Sequence, residues 1–169
     1  MIRKIAVAAA AAVLLLSSAA VRAIDGMAVE IGAGEERTVM LRLSVTDRWR
    51  KREPRRPEGW RLAGYWEYTA GLWDNPEDST AELAVTPVFR FERGRFYVEG
   101  AIGFHLVQTH ISAHRSFSTA FQFGDHLGAG YYFGPYDLCL RVQHLSNGGI
   151  AQPNPGINFV LVRLHYPLL

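Results

Sequence analysis

The chain has 169 residues, a net charge of +2, 49% hydrophobic residues and one cysteine, Cys139. So small a charge gives no electrostatic footprint for nucleic acid, and a lone cysteine excludes an internal disulfide and a Cys-based metal site. The length is that of one domain.

Arg3 and Lys4 open the chain, followed by an apolar run over residues 5–16 and small residues up to Ala23. Those are the parts of a secretory signal peptide, with Val21 and Ala23 at the specificity positions before a cut. The apolar run is short for a spanning helix, which needs about 20 residues. The expectation is therefore a cleaved signal peptide over 1–23 and a mature domain over 24–169.

From there, apolar residues recur with a period of two in segment after segment. The first, 27–33, is short. In the second, 38–46, Val39, Leu41, Leu43 and Val45 alternate with Met40, Arg42 and Ser44. The third, 60–71, is rich in Trp and Tyr, and the fourth, 80–91, puts Leu83, Val85, Pro87, Phe89 and Phe91 on one face. A tight turn at Gly94 leads into the fifth, 96–107. The sixth, 121–133, sets Phe121, Phe123, Leu127, Ala129, Tyr131 and Phe133 against Gln122, Gly124, His126, Gly128 and Gly130. Gly134-Pro135 turns into the seventh, 136–146, and the eighth runs over 157–166.

Such a series, without a helix of note and behind a signal peptide, predicts an all-β fold: an eight-stranded antiparallel transmembrane β-barrel. A soluble sandwich or a lipocalin-like carrier is the competing reading. Three features favour the membrane. The strands approach the roughly 9–11 residues a tilted strand needs to cross a bilayer. One face is apolar and the other polar, the reverse of a greasy-centred soluble barrel. Trp49, Trp60, Trp66, Trp73, Tyr131, Tyr132, Tyr136 and Tyr166 cluster near strand ends, as an aromatic girdle requires. With both termini periplasmic, the outer loops are 34–37, 73–79, 108–120 and 147–156. The basic run 48–56 then lies on the periplasmic side, where a solvated turn explains it better than a lipid phosphate site. His110 and His114 lack a third ligand, so 108–120 reads as a loop with a short helical turn, not a metal site.

The seventh strand ends in His144-Leu145-Ser146. Residues two apart share a strand face, so His144 and Ser146 top the apolar stripe of Leu138, Leu140 and Val142. Asn158 opens the eighth strand on the same outward face, level with them across the antiparallel pair. A nucleophile, a base and a hydrogen-bonding third group on one patch is the arrangement used in acyl transfer. An isolated His-x-Ser pair is weak, and interface residues satisfied by water and head groups are its plain alternative.

The longer string is more specific. His144-Leu145-Ser146-Asn147-Gly148-Gly149, then Pro153-Asn154-Pro155-Gly156 and an alternating last strand, resembles the outer-membrane lipid A 3-O-deacylase (PagL) family, and Gly64-Tyr65-Trp66-Glu67 is similar to its third strand. The resemblance spans most of the mature chain. It implies an eight-stranded barrel that removes the ester-linked 3-hydroxyacyl chain at position 3 of lipid A. By resemblance, Ser146 is the nucleophile and His144 its base. Asn147 and the following backbone N–H groups of Gly148 and Gly149 look like the oxyanion hole, and Asn154 matches a further Asn of the motif. It implies no metal or organic cofactor. The partners are lipopolysaccharide and the outer membrane of a Gram-negative cell, with a homodimer left open.

Two departures stand out. Asn158 occupies the position where well-known members carry a Glu. An Asn can still accept the His Nδ1–H and hold the tautomer, but it brings no charge. Asp125 or a loop carboxylate could take the acid's place, although the expected strand register argues against Asp125. The chain also ends in Tyr166-Pro167-Leu168-Leu169, without the terminal Phe common to outer-membrane barrels. A barrel that kept the fold and lost the chemistry is the second reading.

Overall fold

The computed structural model describes residues 24–50, 58–108 and 116–168. The expected signal peptide, most of the basic run, and His110 and His114 lie outside the described residues. Among the described residues there are eight strands: β1 Gly26–Gly34, β2 Val39–Arg48, β3 Arg61–Asp74, β4 Ser79–Arg93, β5 Phe96–Val107, β6 Phe121–Phe133, β7 Tyr136–Ser146 and β8 Ile157–Pro167. Each pairs antiparallel with its sequence neighbour, and β1 pairs with β8 to close the barrel. Closure removes every sheet edge, which is what lets strands sit in hydrocarbon with all backbone groups paired.

The strict alternation decides which side is which. Along β2, Arg42, Ser44 and Thr46 are buried, whereas Leu41 and Leu43 are 49% and 52% exposed. Along β7, Arg141 and Gln143 are buried, while Leu140 and Val142 are 56% and 53% exposed. Apolar side chains therefore coat the outside and polar ones fill the inside, the pattern of a membrane barrel. Eight strands leave an interior just wide enough for side chains to fill.

That interior is organised by ion pairs. Arg42 clasps Glu82 through Nε at 2.9 Å and Nη2 at 2.8 Å. Arg163 and Arg141 converge on Glu67, each at 3.0 Å, and Arg90 holds Glu99 through Nη2 at 2.7 Å. Buried charges of this kind persist only as pairs, because each one left alone costs several kcal/mol (on the order of 3–5).

Above this network, at the end carrying the β1–β2, β3–β4, β5–β6 and β7–β8 connections, lies an apolar plug that includes Trp73, Leu145, Ile157 and Phe159. Leu145 and Ile157 are register partners on β7 and β8. The inward neighbours of the His144–Ser146 stretch are thus locked, and the outward residues inherit that order.

Two expectations need correcting. β3 continues to Asp74 rather than stopping at Gly71. Trp73 carries on the inward series of Tyr65, Glu67, Thr69 and Gly71, and its indole N–H donates to Glu82 Oε2 at 2.6 Å. Trp73 and Tyr132 therefore belong to the interior and not to the girdle. One belt of outward aromatics gathers at the end bearing the termini, where Trp49 lies 5.0 Å from Phe89, Trp60 4.8 Å from Phe91 and Tyr136 5.2 Å from Tyr166 between ring centroids, and Phe104, Phe121 and Phe123 cluster at the other end.

Candidate active site

Two rows of side chains cross the outer wall over β6, β7, β8 and β1. The lower row is apolar: Leu127 pairs with Val142, Val142 with Val160, and Val160 with Ala33. The upper row is polar: Asp125 pairs with His144, and His144 with Asn158. Together they line an open groove of about 610 Å³, which Glu35 also borders. A groove with an apolar floor and a polar end suits a chain whose head is polar and whose tail is hydrocarbon.

The register corrects the doubt over Asp125, which stands directly across from His144 on β6. The imidazole nevertheless turns the other way. His144 Nδ1 lies 2.9 Å from Asn158 Oδ1, and Asn158 Nδ2 donates to Glu35 Oε1 at 2.5 Å. The second bond settles the first. A carboxylate only accepts, so the amide nitrogen must face Glu35 and the amide oxygen must face His144. That oxygen also only accepts, so the neutral ring carries its proton on Nδ1 and keeps the Nε2 lone pair.

Gly156 forms the seat of the ring. Its φ is +60°, and a Cβ there would lie 2.7 Å from His144 Cε1 and 3.2 Å from Nε2. Only glycine meets both conditions, a left-handed backbone and no side chain.

Ser146, half-buried, ends β7 one pleat above His144 and pairs with Phe123 of β6. Its successor Asn147 is fully buried and knits the β7–β8 loop. Asn147 Nδ2 donates to Ser118 Oγ at 2.9 Å and to the Ala151 carbonyl at 2.8 Å, and Oδ1 accepts from the Gly149 N–H at 2.9 Å. The Asn147 N–H itself donates to Asn154 Oδ1 at 3.0 Å. Of the residues expected to supply oxyanion donors, Asn147 and Gly149 thus spend theirs inside the loop. Among the described residues nothing takes the Gly148 N–H or the Asn154 side-chain N–H. Gly148 and Gly149 both have positive φ, +65° and +83°, and the Ile150 N–H closes the turn on the Asn147 carbonyl at 3.2 Å. No three His, Cys, Asp or Glu side chains among the described residues converge as metal ligands.

Glu35 is the site residue that sequence reasoning did not single out. It opens a single 3-10 turn, Glu35–Arg37, between β1 and β2. Glu36 and Arg37 are both left-handed, with φ of 55° and 57°, which costs a side-chain-bearing residue roughly 1–2 kcal/mol each. Such strain is tolerated where the surroundings hold it. Here the Gly34 N–H donates to the Thr38 carbonyl at 2.8 Å, and the Thr38 N–H to the Glu35 carbonyl at 3.0 Å. Closure of β1 on β8 pairs Gly34 with Phe159 and so delivers the turn beside Asn158.

Known proteins agree with this architecture. The family model of the lipid A 3-O-deacylase (PagL) matches residues 37–167. A lipid A deacylase PagL of Bordetella bronchiseptica is 39% identical over 87 residues, which are 50% of this chain and 49% of that protein. The lipid A deacylase PagL of Pseudomonas aeruginosa is 28% identical over 134 residues, 75% of this chain and 77% of that one. The chain thus spans about half the length of the first relative and about three quarters of the second. The crystal structure of the outer membrane enzyme PagL superposes with a TM-score of 0.75 at 26% identity, covering 85% of this chain and 99% of that chain. With the family match running through all but the first strand of the barrel, the chain belongs to the lipid A 3-O-deacylase (PagL) family.

Proposed function

We propose that this chain is an outer-membrane esterase that hydrolyses the 3-hydroxyacyl ester at position 3 of lipid A, with Ser146 as nucleophile and His144 as general base. The hydrogen bond from His144 Nδ1 to Asn158 Oδ1, on the hydrocarbon-facing wall, carries the reading. It leaves the Nε2 lone pair for the Ser146 hydroxyl, and no structural strand needs a base held that way in lipid.

In this mechanism the acyl chain lies over Leu127, Val142 and Val160, and its ester meets the polar row above. His144 Nε2 takes the Ser146 proton as Oγ attacks the carbonyl carbon. The Gly148 N–H and the Asn154 amide N–H are the donors available to the developing oxyanion, and such donors act most strongly in a dry site. His144 returns the proton to the departing sugar oxygen, leaving a free 3-hydroxyl and an acyl-Ser146. Water activated by the same base then releases the 3-hydroxy fatty acid. Every residue named stands on one closed barrel, so the reading needs no second copy. An outward site also fits the substrate, whose acyl chains already lie beside the wall.

Purified protein incubated with lipid A should release one 3-hydroxy fatty acid per molecule, read by mass spectrometry, and Ser146→Ala should stop it. Undiminished release by that variant sinks the reading. The uncharged Asn158 favours one alternative, an idle barrel. A fluorophosphonate probe that fails to label Ser146 in the folded protein would support that alternative.

A further inference from the structure

We propose that Glu35 supplies the acid of this site at one remove, as a positioning residue that acts on His144 through Asn158. The inference rests on the Ser146–His144 reading above. Glu35 lies two residues before the segment that the family model covers.

The geometry carries the argument. Asn158 bridges the two groups, its Oδ1 2.9 Å from His144 Nδ1 and its Nδ2 2.5 Å from Glu35 Oε1. An Asn side chain on an exposed strand face can rotate by half a turn, and the rotated form would offer N–H groups to His144 Nδ1. That arrangement selects the other tautomer, with the proton on Nε2, and a base so protonated cannot accept the Ser146 proton. Glu35 prevents the rotation, because a carboxylate facing the amide oxygen would meet acceptor with acceptor. Its negative charge also polarises the amide, making Oδ1 a stronger acceptor when His144 becomes an imidazolium. No proton crosses the amide. The Ser146 proton goes to Nε2 and returns to the leaving oxygen, while Glu35 stays ionised throughout.

Asp125 is the rival source of charge, since it is the register partner of His144 on the other side. It makes no hydrogen bond to the ring, whereas Glu35 is tied into the chain of bonds that ends on Nδ1.

The test is a double-mutant cycle with Glu35→Gln and Asn158→Glu, assayed on lipid A and by the rate of fluorophosphonate labelling of Ser146. Glutamine keeps an oxygen toward Asn158 Nδ2 and removes only the charge. In the natural background Glu35→Gln should lower kcat and the labelling rate about tenfold with KM changed less than twofold, the scale of a modest catalytic hydrogen bond. With a carboxylate placed directly at 158, the same substitution should cost less than twofold. Equal losses in both backgrounds would make Glu35 a structural prop and overturn the relay. So would a natural-background loss from Asp125→Asn in place of Glu35→Gln. Ser146→Ala separates the two layers. If that variant is dead and Glu35→Gln is as fast as the natural protein, the relay alone fails. If Ser146→Ala stays active, the nucleophile assignment fails and takes the relay with it. Heat-modifiable gel mobility confirms that each variant is a folded barrel.

Discussion

Asn158 Oδ1 and His144 Nδ1 meet at 2.9 Å across directly paired positions of β8 and β7, on the outer wall of the barrel. The pair sits on two strands whose inward residues, Leu145 and Ile157, are fully buried in the apolar plug. Rigid elements hold a catalytic contact better than loops do. The ring is thus positioned by packing behind it, by Asn158 beside it and by Gly156 beneath it.

Removing the amide from this contact separates orientation from charge. Asn158→Leu should cut kcat by roughly 10²–10³, somewhat less than the ~10⁴ lost when a triad holds the wrong tautomer, with KM little changed. Asn158→Glu should raise kcat above that of the natural protein, because a carboxylate both orients and neutralises. Single-turnover kinetics on lipid A decides it. A lowered rate in Asn158→Glu would mean that Asn158 is more than a weakened acid.

Gly156→Ala tests the seat of the ring. The new methyl would lie 2.7 Å from His144 Cε1 at a φ of +60°, so the ring must move or the loop must shift. Strain of about 1–2 kcal/mol falls on a connection and leaves the strand ladder intact. The barrel should keep its heat-modifiable mobility while activity drops at least about tenfold, since small misplacements of a base are costly. An unaffected rate would show that His144 works from another position.

Much of this was legible from residues alone, for identifiable reasons. β5, β6 and β7 fall where alternation and glycine turns put them, because each hairpin switches the period at a clear break. Even the Asp125–His144 pairing could have been counted: a two-residue turn at Gly134-Pro135 pairs Phe133 with Tyr136, and stepping back leads to Asp125 and His144. Trp73 lies beyond the expected end of the third strand at 71, although its parity with Tyr65, Glu67 and Thr69 already places it inside. Tyr132 follows Tyr131, and adjacent strand residues cannot both face lipid. Glu35 was out of reach. Its place beside Asn158 depends on how β1 closes on β8, and no hairpin ties those two strands together.

Asn147 and Asn154 should fail in different ways. Asn147 is fully buried with its amide committed to Ser118, Ala151 and Gly149. Asn147→Ala strands those partners at about 1–3 kcal/mol, so both activity and loop resistance to protease should fall. Asn154→Ala removes an available donor and should lower kcat by roughly 10²–10³, the range for a lost oxyanion donor. It also frees the Asn147 N–H, so Asn154→Asp, which keeps the acceptor and loses the donor, is the cleaner variant. Limited proteolysis beside kinetics tells the two apart. Equal proteolytic loosening in Asn154→Asp would argue against a donor role.

The apolar row should govern chain-length preference. Leu127, 69% exposed, and Val142 form its floor beneath the polar row. A methylene that leaves water or a poor contact for a good one is worth up to about 0.8 kcal/mol, and less where lipid already surrounds it. Leu127→Trp fills that end of the groove and should lower kcat/KM for long acyl chains relative to short ones by a few-fold, with the short-chain rate kept. Competition between esters of different length, read by mass spectrometry, gives the ratio directly. A uniform loss across lengths would place the acyl chain elsewhere on the wall.

The interior network should control stability without touching the chemistry. Arg163 is fully buried and its Nε donates to Glu67 Oε1 at 3.0 Å. Arg163→Met leaves Glu67 with Arg141, 3.0 Å away, whereas Glu67→Leu leaves two guanidinium groups short of a carboxylate. Breaking a buried pair by deleting one partner costs about 3–5 kcal/mol. Glu67→Leu should therefore lower the unfolding midpoint in detergent more than Arg163→Met does, and a double replacement by apolar residues should recover part of the loss. Both single variants should retain near-natural kcat at temperatures where they remain folded, because the network is walled off from the groove by the barrel backbone. A kcat loss in a fully folded Arg163→Met protein would show that the interior reaches His144 after all.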